Sequence, residues 1–198
     1  MQKVKGMNDE PQKEMREEYA VALDFMLSGK AFSHKSDPVA QLLGELWFTL
    51  LEVQPKPGAV IGIGERIYIG KAERDKVALI KARISYNDLT QSAKNELPNA
   101  IMAIIKGDEK RFVDVFNNAA PLNIREHSLE LLPGVGKKHL QAILKARSEK
   151  RFESFADITA RVSLLQDPAK LIKDRIISEL MGAERFYMFT KPYRQDRI

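Results

Sequence analysis

The residues whose types and spacing could do chemistry lie at Leu131-Leu132-Pro133-Gly134-Val135-Gly136-Lys137-Lys138. Glycine reaches positive φ without a Cβ clash, so Gly134 and Gly136 let the backbone reverse, and Val135 between them can point back into a core. The second glycine opens a helix over residues 137–147, where Leu140, Ile143 and Leu144 recur at i, i+3 and i+4. A helix N-terminus carries unpaired N–H groups and a partial positive charge, which suits a phosphate oxygen. Lys137 and Lys138 stand beside it, and Lys145 follows on the same helix. The expected chemistry is contact with a phosphate backbone, DNA or RNA, through Gly134, Val135, Gly136, Lys137, Lys138 and Lys145.

A second candidate set falls on alternating segments. Arg66 and Tyr68 alternate with Ile67 and Ile69, and Lys81 and Arg83 alternate with Ile80, Ala82 and Ile84. On the wet side of a sheet, Arg66, Tyr68, Lys81 and Arg83 could stack bases and track phosphates. A tyrosine and cations in those positions are equally ordinary solvated residues.

Composition narrows the classes. The chain has 198 residues, 44% of them hydrophobic, which is enough for one large or two small folded domains. It has no cysteine, so disulfides, thiolate zinc sites and cysteine nucleophiles are excluded. His34, His127 and His139 are too scattered to suggest a metal cluster, and no cofactor is expected. Residues 1–6 have no apolar leader, and the longest apolar run, residues 39–51, is interrupted by Gly44 and Glu45; a cytoplasmic protein with no membrane partner is the default. The net charge of +5 is unevenly placed. Residues 1–120 hold 17 Lys and Arg against 17 Asp and Glu, whereas residues 121–198 hold 15 against 10. A basic C-terminal part on a neutral N-terminal one suits a polyanion held mainly by the former.

The elements that must position these residues follow from periodicity. Residues 1–18 read as a tail. From Tyr19 to Leu27 apolar residues alternate, as in a half-buried strand. Residues 28–38 form a polar loop, and 39–53 read as a strand, with a helical start or a bulge at Gly44 as alternatives. Residues 59–70 and 77–86 complete a set of four or five strands, which suggests a small OB-like barrel over residues 19–88. Thr90 caps a helical connector, residues 89–120, in which Pro98 separates residues 91–97 from 98–106 and a further helix covers 109–118. In the C-terminal part, residues 121–190, the expected helices are 124–132, 137–147, 155–162 capped by Ser154, and a last one with Asp167 as N-cap and Pro168 at N1. Residues 191–198 form a tail. The fold class is thus α+β, an N-terminal OB-like β-barrel followed by an all-α C-terminal domain.

The hairpin closely resembles the helix-hairpin-helix signature of nucleic-acid-binding proteins, and the order of helices around it resembles a tandem helix-hairpin-helix domain. The second turn, Leu165-Gln166-Asp167-Pro168-Ala169-Lys170, lacks the paired glycines, so only the first hairpin is expected to hold phosphate. Helix-hairpin-helix glycosylases place a catalytic lysine just after the glycines and an aspartate further on, and Lys138 and Asp157 come near that spacing. Ile158-Thr159 stands where those enzymes have threonine and histidine, and the upstream half reads as strands rather than helices. The resemblance therefore implies a non-catalytic binder, with a glycosylase/lyase and an adaptor docking on protein, in a ribosome or repair complex, as alternatives.

The likeness reaches further than one motif. IGERIYIGKAERDK, NELP and HSLELLPGVGKKHLQAIL together resemble an archaeal family, domain of unknown function 655, across residues 19–190. That resemblance implies a predicted nucleic-acid-binding protein of archaeal source, with an OB-like domain ahead of a helix-hairpin-helix domain.

Overall fold

The computed structural model describes residues 16–28, 37–163 and 165–193. Residues 1–15 of the expected tail, 29–36 of the polar loop and 194–198 lie outside them. Five strands form one antiparallel sheet: β1 (Tyr19–Met26), β2 (Val39–Gly44), β3 (Leu50–Pro55), β4 (Arg66–Tyr68) and β5 (Val77–Arg83). Their order is β4-β1-β2-β3-β5.

The expected closed barrel does not form, and the sheet is a half-barrel. β4 pairs only with β1, and β5 only with β3. Past Ile69, whose N–H still donates to the Glu18 carbonyl at 2.8 Å, the chain leaves the sheet, and the Arg74 guanidinium donates to the carbonyls of Ile69 and Gly70. β5 also slips register twice against β3, which breaks its alternation, so Leu79 stands 54% exposed and Ala78 and Lys81 share its exposure.

Both faces of β1 and β2 are buried, which the alternation in β1 did not foretell. Ala20 and Ala22 line the inside of the curl with Leu42, Val53, Ile67 and Ile69. Val21 and Leu23 face the other way, into a second cluster that takes in Leu43, Phe48 and Leu50 and continues through the helices. The helices are α1 (Gln91–Gly107), α2 (Glu109–Asn118), α3 (Lys137–Glu149), α4 (Phe155–Arg161) and α5 (Pro168–Leu180). α1 packs on β1 along one side and on α5 along the other. One apolar core therefore runs from Val21 to Ile176, and the chain is not an N-terminal barrel followed by an all-α domain.

α1 is a single helix, not two pieces. An interior proline costs about 3 kcal/mol. Leu97, Ile101, Ile104 and Ile105 are buried on one stripe, and at roughly 1.5–3 kcal/mol each their burial outweighs that cost. Thr90 caps the helix by accepting from the Ala93 N–H at 3.0 Å, as its position predicted.

The β2–β3 connection is a turn that sequence concealed. Residues 45–49 carry no proline or glycine, and Phe48 takes a positive φ of 52°. A remote carboxylate holds it: Glu17, from the segment read as a tail, accepts the N–H groups of Leu46, Trp47 and Thr49 at 2.7, 2.9 and 3.2 Å. Arg111 of α2 donates to the carbonyls of Glu45 and Leu46, and Phe48 packs on Phe112. Turn chemistry normally supplied by local residues here comes from both sides of the chain.

Candidate nucleic-acid interface

Residues 132–135 make a type II turn. Pro133 supplies the fixed φ of the second position, Gly134 the positive φ of the third at 83°, and the Val135 N–H donates to the Leu132 carbonyl at 3.0 Å. Val135 points inward and is buried. Gly136 does something different from what its position implied. Its φ of −90° and ψ of −178° are extended backbone open to any residue, and a Cβ there would meet no atom of the protein within 4 Å. The bare Gly136 leaves the start of α3 open to approach from outside.

α3 begins without a side-chain cap. The N-termini of α1, α4 and α5 are closed by Thr90, Ser154 and Asp167, which accept from Ala93, Asp157 and Ala169. Asp167 thus fills the second turn with an acidic side chain of its own, while the first turn leaves its N–H groups for a ligand.

Two of the hairpin lysines are differently employed. Lys137 ties the turn to what precedes it, donating to the Arg125 carbonyl at 3.0 Å and pairing with Glu130 at 2.9 Å. This bond, together with the His127 N–H, holds the Glu130 carboxyl below its ordinary range. Lys138 and Lys145 are exposed, have no ion-pair partner among the described residues, and lie seven positions apart on one face of α3. His139, half-buried, meets the Gly134 carbonyl at 3.0 Å and braces the turn.

The expected first helix, residues 124–132, is only a 3-10 turn, Ser128–Leu131. Asn123 explains why: its side-chain oxygen accepts the N–H groups of Arg125 and Glu126 at 2.8 and 3.0 Å, a local bond that competes with helix formation. Residues 121–127 instead make a tight protruding turn, closed by a bridge between Pro121 and His127. His127 is buried, and its Nδ1 accepts the Leu129 N–H at 3.2 Å.

The sheet-face candidates are mostly committed to internal contacts. Arg66 donates two hydrogen bonds to the Glu45 carboxylate, at 2.7 and 2.9 Å, which favour its charged form, and lies 3.5 Å over the Tyr19 ring. Tyr68 meets Tyr19 edge-on, and its hydroxyl accepts the Ala72 N–H at 3.1 Å. Arg83 donates to the Lys191 carbonyl at 2.6 Å. Lys81 is exposed on the β5 edge. An open groove does run beside this face, lined by Tyr19, Trp47, Arg66, Asp108, Arg111 and Lys191.

The structure does not bring Lys138 and Asp157 together as a pair. Asp157 binds Arg161 at 3.0 Å and accepts the Glu153 N–H at 3.1 Å, which keeps its carboxyl below the usual range. Sequence reasoning missed the clasp that anchors the hairpin from below. Arg175 and Glu179 of α5 pair at 2.9 Å, with side chains 4% and 0% exposed. Arg175 also donates to the Leu131 carbonyl at 3.0 Å, to Glu184 at 2.9 Å and to the Phe186 carbonyl. Glu179 accepts the N–H groups of Met188, Phe189 and Thr190 at 2.7, 3.0 and 2.9 Å. An Arg and a Glu four apart on a helix read as a solvated pair, and only their place beside Ile172 and Ile176 hinted at burial. Among the described residues, no helix is long and apolar enough to cross a membrane.

Comparison with known proteins places the whole arrangement. The crystal structure of Af1531 from Archaeoglobus fulgidus superposes with a TM-score of 0.83 at 48% identity, covering 88% of this chain and 100% of that one. The uncharacterized protein MJ0038 of Methanocaldococcus jannaschii is 42% identical over 178 residues, 88% of this chain and 80% of that protein. A family model described as "Protein of unknown function (DUF655)" matches residues 16–191, so the chain belongs to the domain of unknown function 655 family, whose relatives here are archaeal.

Proposed function

We propose that the protein binds nucleic acid through its phosphate backbone, without catalysis, at the hairpin formed by Pro133 to Lys138. The observation that carries this reading is the uncapped start of α3, where Gly136 leaves the N–H groups open and Lys138 stands unpaired beside them. Lys145 extends the cationic face, and Lys137, whose ion pair with Glu130 is solvent-exposed on its own side, can exchange that partner for a phosphate at little cost. Backbone contact positions a protein without specifying bases, so the hairpin alone supports broad binding of duplexes and structured RNA. Of the helices that the helix-hairpin-helix reading expects, the first is a 3-10 turn here, while α3, α4 and α5 stand in the expected order.

The test is titration of labelled DNA and RNA duplexes with the full chain across a salt series. Log affinity falls linearly with log salt, by about 0.9 per phosphate neutralised on B-DNA. Lys138→Glu with Lys145→Glu weakens binding to every duplex and lowers the slope by about 2 contacts' worth. Affinity that ignores salt, or that survives both charge reversals, overturns the reading.

A further inference from the structure

Ile124 is 104% exposed, so no part of the fold covers it. Large apolar side chains on a surface are ordinary singly, but this one is held out rather than left over. Its turn is bonded at every level. Leu122 and Asn123 donate their N–H groups to the Glu126 carbonyl at 2.9 and 3.2 Å, and the Asn123 side chain accepts from Arg125 and Glu126 and donates to the Glu126 carboxylate at 2.7 Å. At the base, Ser128 donates from both its N–H and its hydroxyl to the Ala120 carbonyl, at 3.1 and 2.7 Å. Lys137 then locks the tip to the hairpin through the Arg125 carbonyl.

The charges around this residue select its partner. Arg125 beside it is exposed and has no ion-pair partner among the described residues, and Lys137 and Lys138 lie on the hairpin to which the tip is tied. The acids nearby, Glu126 and Glu130, are engaged by Asn123 and by Lys137. An apolar projection among cations fits a partner that is anionic outside and apolar between layers, which describes a stack of base pairs inside two phosphate backbones. Side chains such as isoleucine enter base steps in this way, unstacking them and kinking the helix.

We infer that Ile124 is a wedge: when the hairpin holds the backbone of a double helix, the 121–127 turn inserts Ile124 into a neighbouring base step, with Arg125 on the adjoining phosphate. This rests on the phosphate-binding reading of the hairpin and adds the kind of structure preferred, namely a duplex with an easily opened step.

The experiment uses the full chain with DNA and RNA duplexes carrying 2-aminopurine at successive steps; its fluorescence is quenched by stacking. Wild-type protein raises the emission several-fold at one position, most in a duplex with a pyrimidine–purine step or a mismatch. Ile124→Ala removes the rise while leaving the salt slope of binding in place, and Ile124→Met restores it. Because Ile124 touches nothing in the fold, the variants keep the wild-type melting temperature. Binding without any rise, or a rise that survives in Ile124→Ala, overturns the wedge and leaves the hairpin reading standing. Absence of salt-dependent binding to any duplex overturns both. A protein ligand captured by wild type and lost in Ile124→Ala, with no change at any base step, assigns the tip to a protein and overturns the wedge as well.

Discussion

Gly134 and Gly136 look alike in the sequence and do different work. Gly134 sits at φ 83°, where a Cβ costs roughly 1–2 kcal/mol, so Gly134→Ala lowers stability by about that amount in urea unfolding. Gly136→Ala meets no atom and needs no unusual backbone, so its cost is about 1 kcal/mol or less, from the poorer N-cap alone, yet it weakens nucleic-acid binding by obstructing the start of α3. Unfolding and binding measured on both variants separate the two roles. His127 provides a pH signature at the same scale. Burial, reinforced by the Arg147 charge, pushes its imidazole below the ordinary value of 6.5, because the folded state holds it neutral with Nδ1 accepting from Leu129. The unfolded chain therefore takes up the proton first as pH falls. The contribution of His127 is complete above pH 6.5 and is lost progressively below it, towards its depressed folded value. Urea unfolding at pH 7.5 and 5.5 shows this loss in wild type and a smaller one in His127→Asn.

At the scale of elements, the structure rests on clasps formed between side chains of one helix and backbone of another. Arg147 of α3 donates to the carbonyls of Phe116 and Ala119, both at 2.9 Å, and so closes the end of α2. Arg161 of α4 closes the end of α3 through the Ala146 and Lys150 carbonyls. The Arg175–Glu179 clasp is the most buried; without Glu179, Arg175 keeps Glu184 as an ion-pair partner, but three buried backbone N–H groups lose their acceptor, a loss of roughly 3–5 kcal/mol. Glu179→Ala is expected to destabilise by that amount and, in hydrogen exchange, to strip protection from the amides of Met188, Phe189 and Thr190. The register of α5 and its Asp167 cap were legible because both are local. The clasps were not, since each joins residues whose proximity depends on how whole helices cross.

For the whole molecule, the continuous core predicts one cooperative transition. α1 is sandwiched between β1 and α5, so neither the sheet nor the C-terminal helices can bury their apolar faces without it. Thermal unfolding followed by circular dichroism at strand and helix wavelengths gives coincident midpoints. A fragment of residues 121–193, which a two-domain reading would expect to fold, loses α1 and stays largely unfolded. The same continuity ties the hairpin to the sheet mechanically, because Leu132 and Val135 share a core with Leu23 and Phe48.

Sequence by itself determined what depends on neighbours a few positions apart. The type II turn at Pro133-Gly134, the caps Thr90, Ser154 and Asp167, the helical stripe of α5 and the alternation of Ile67 and Ile69 all follow from side chains acting within a turn or two. Tertiary structure decided the rest. It set α1 as one helix through Pro98, opened the barrel between β4 and β5, and buried both faces of β1. It also engaged Arg66 and Tyr68 internally, hid Arg175 and Glu179, and bent residues 45–49 around Glu17. Most of these turn on a partner distant in sequence, where the favourable burial or hydrogen bond exists only after the chain has closed on itself. The hairpin could be read in advance because its geometry is local; the exposed Ile124 beside it could not, since exposure is a property of the finished surface.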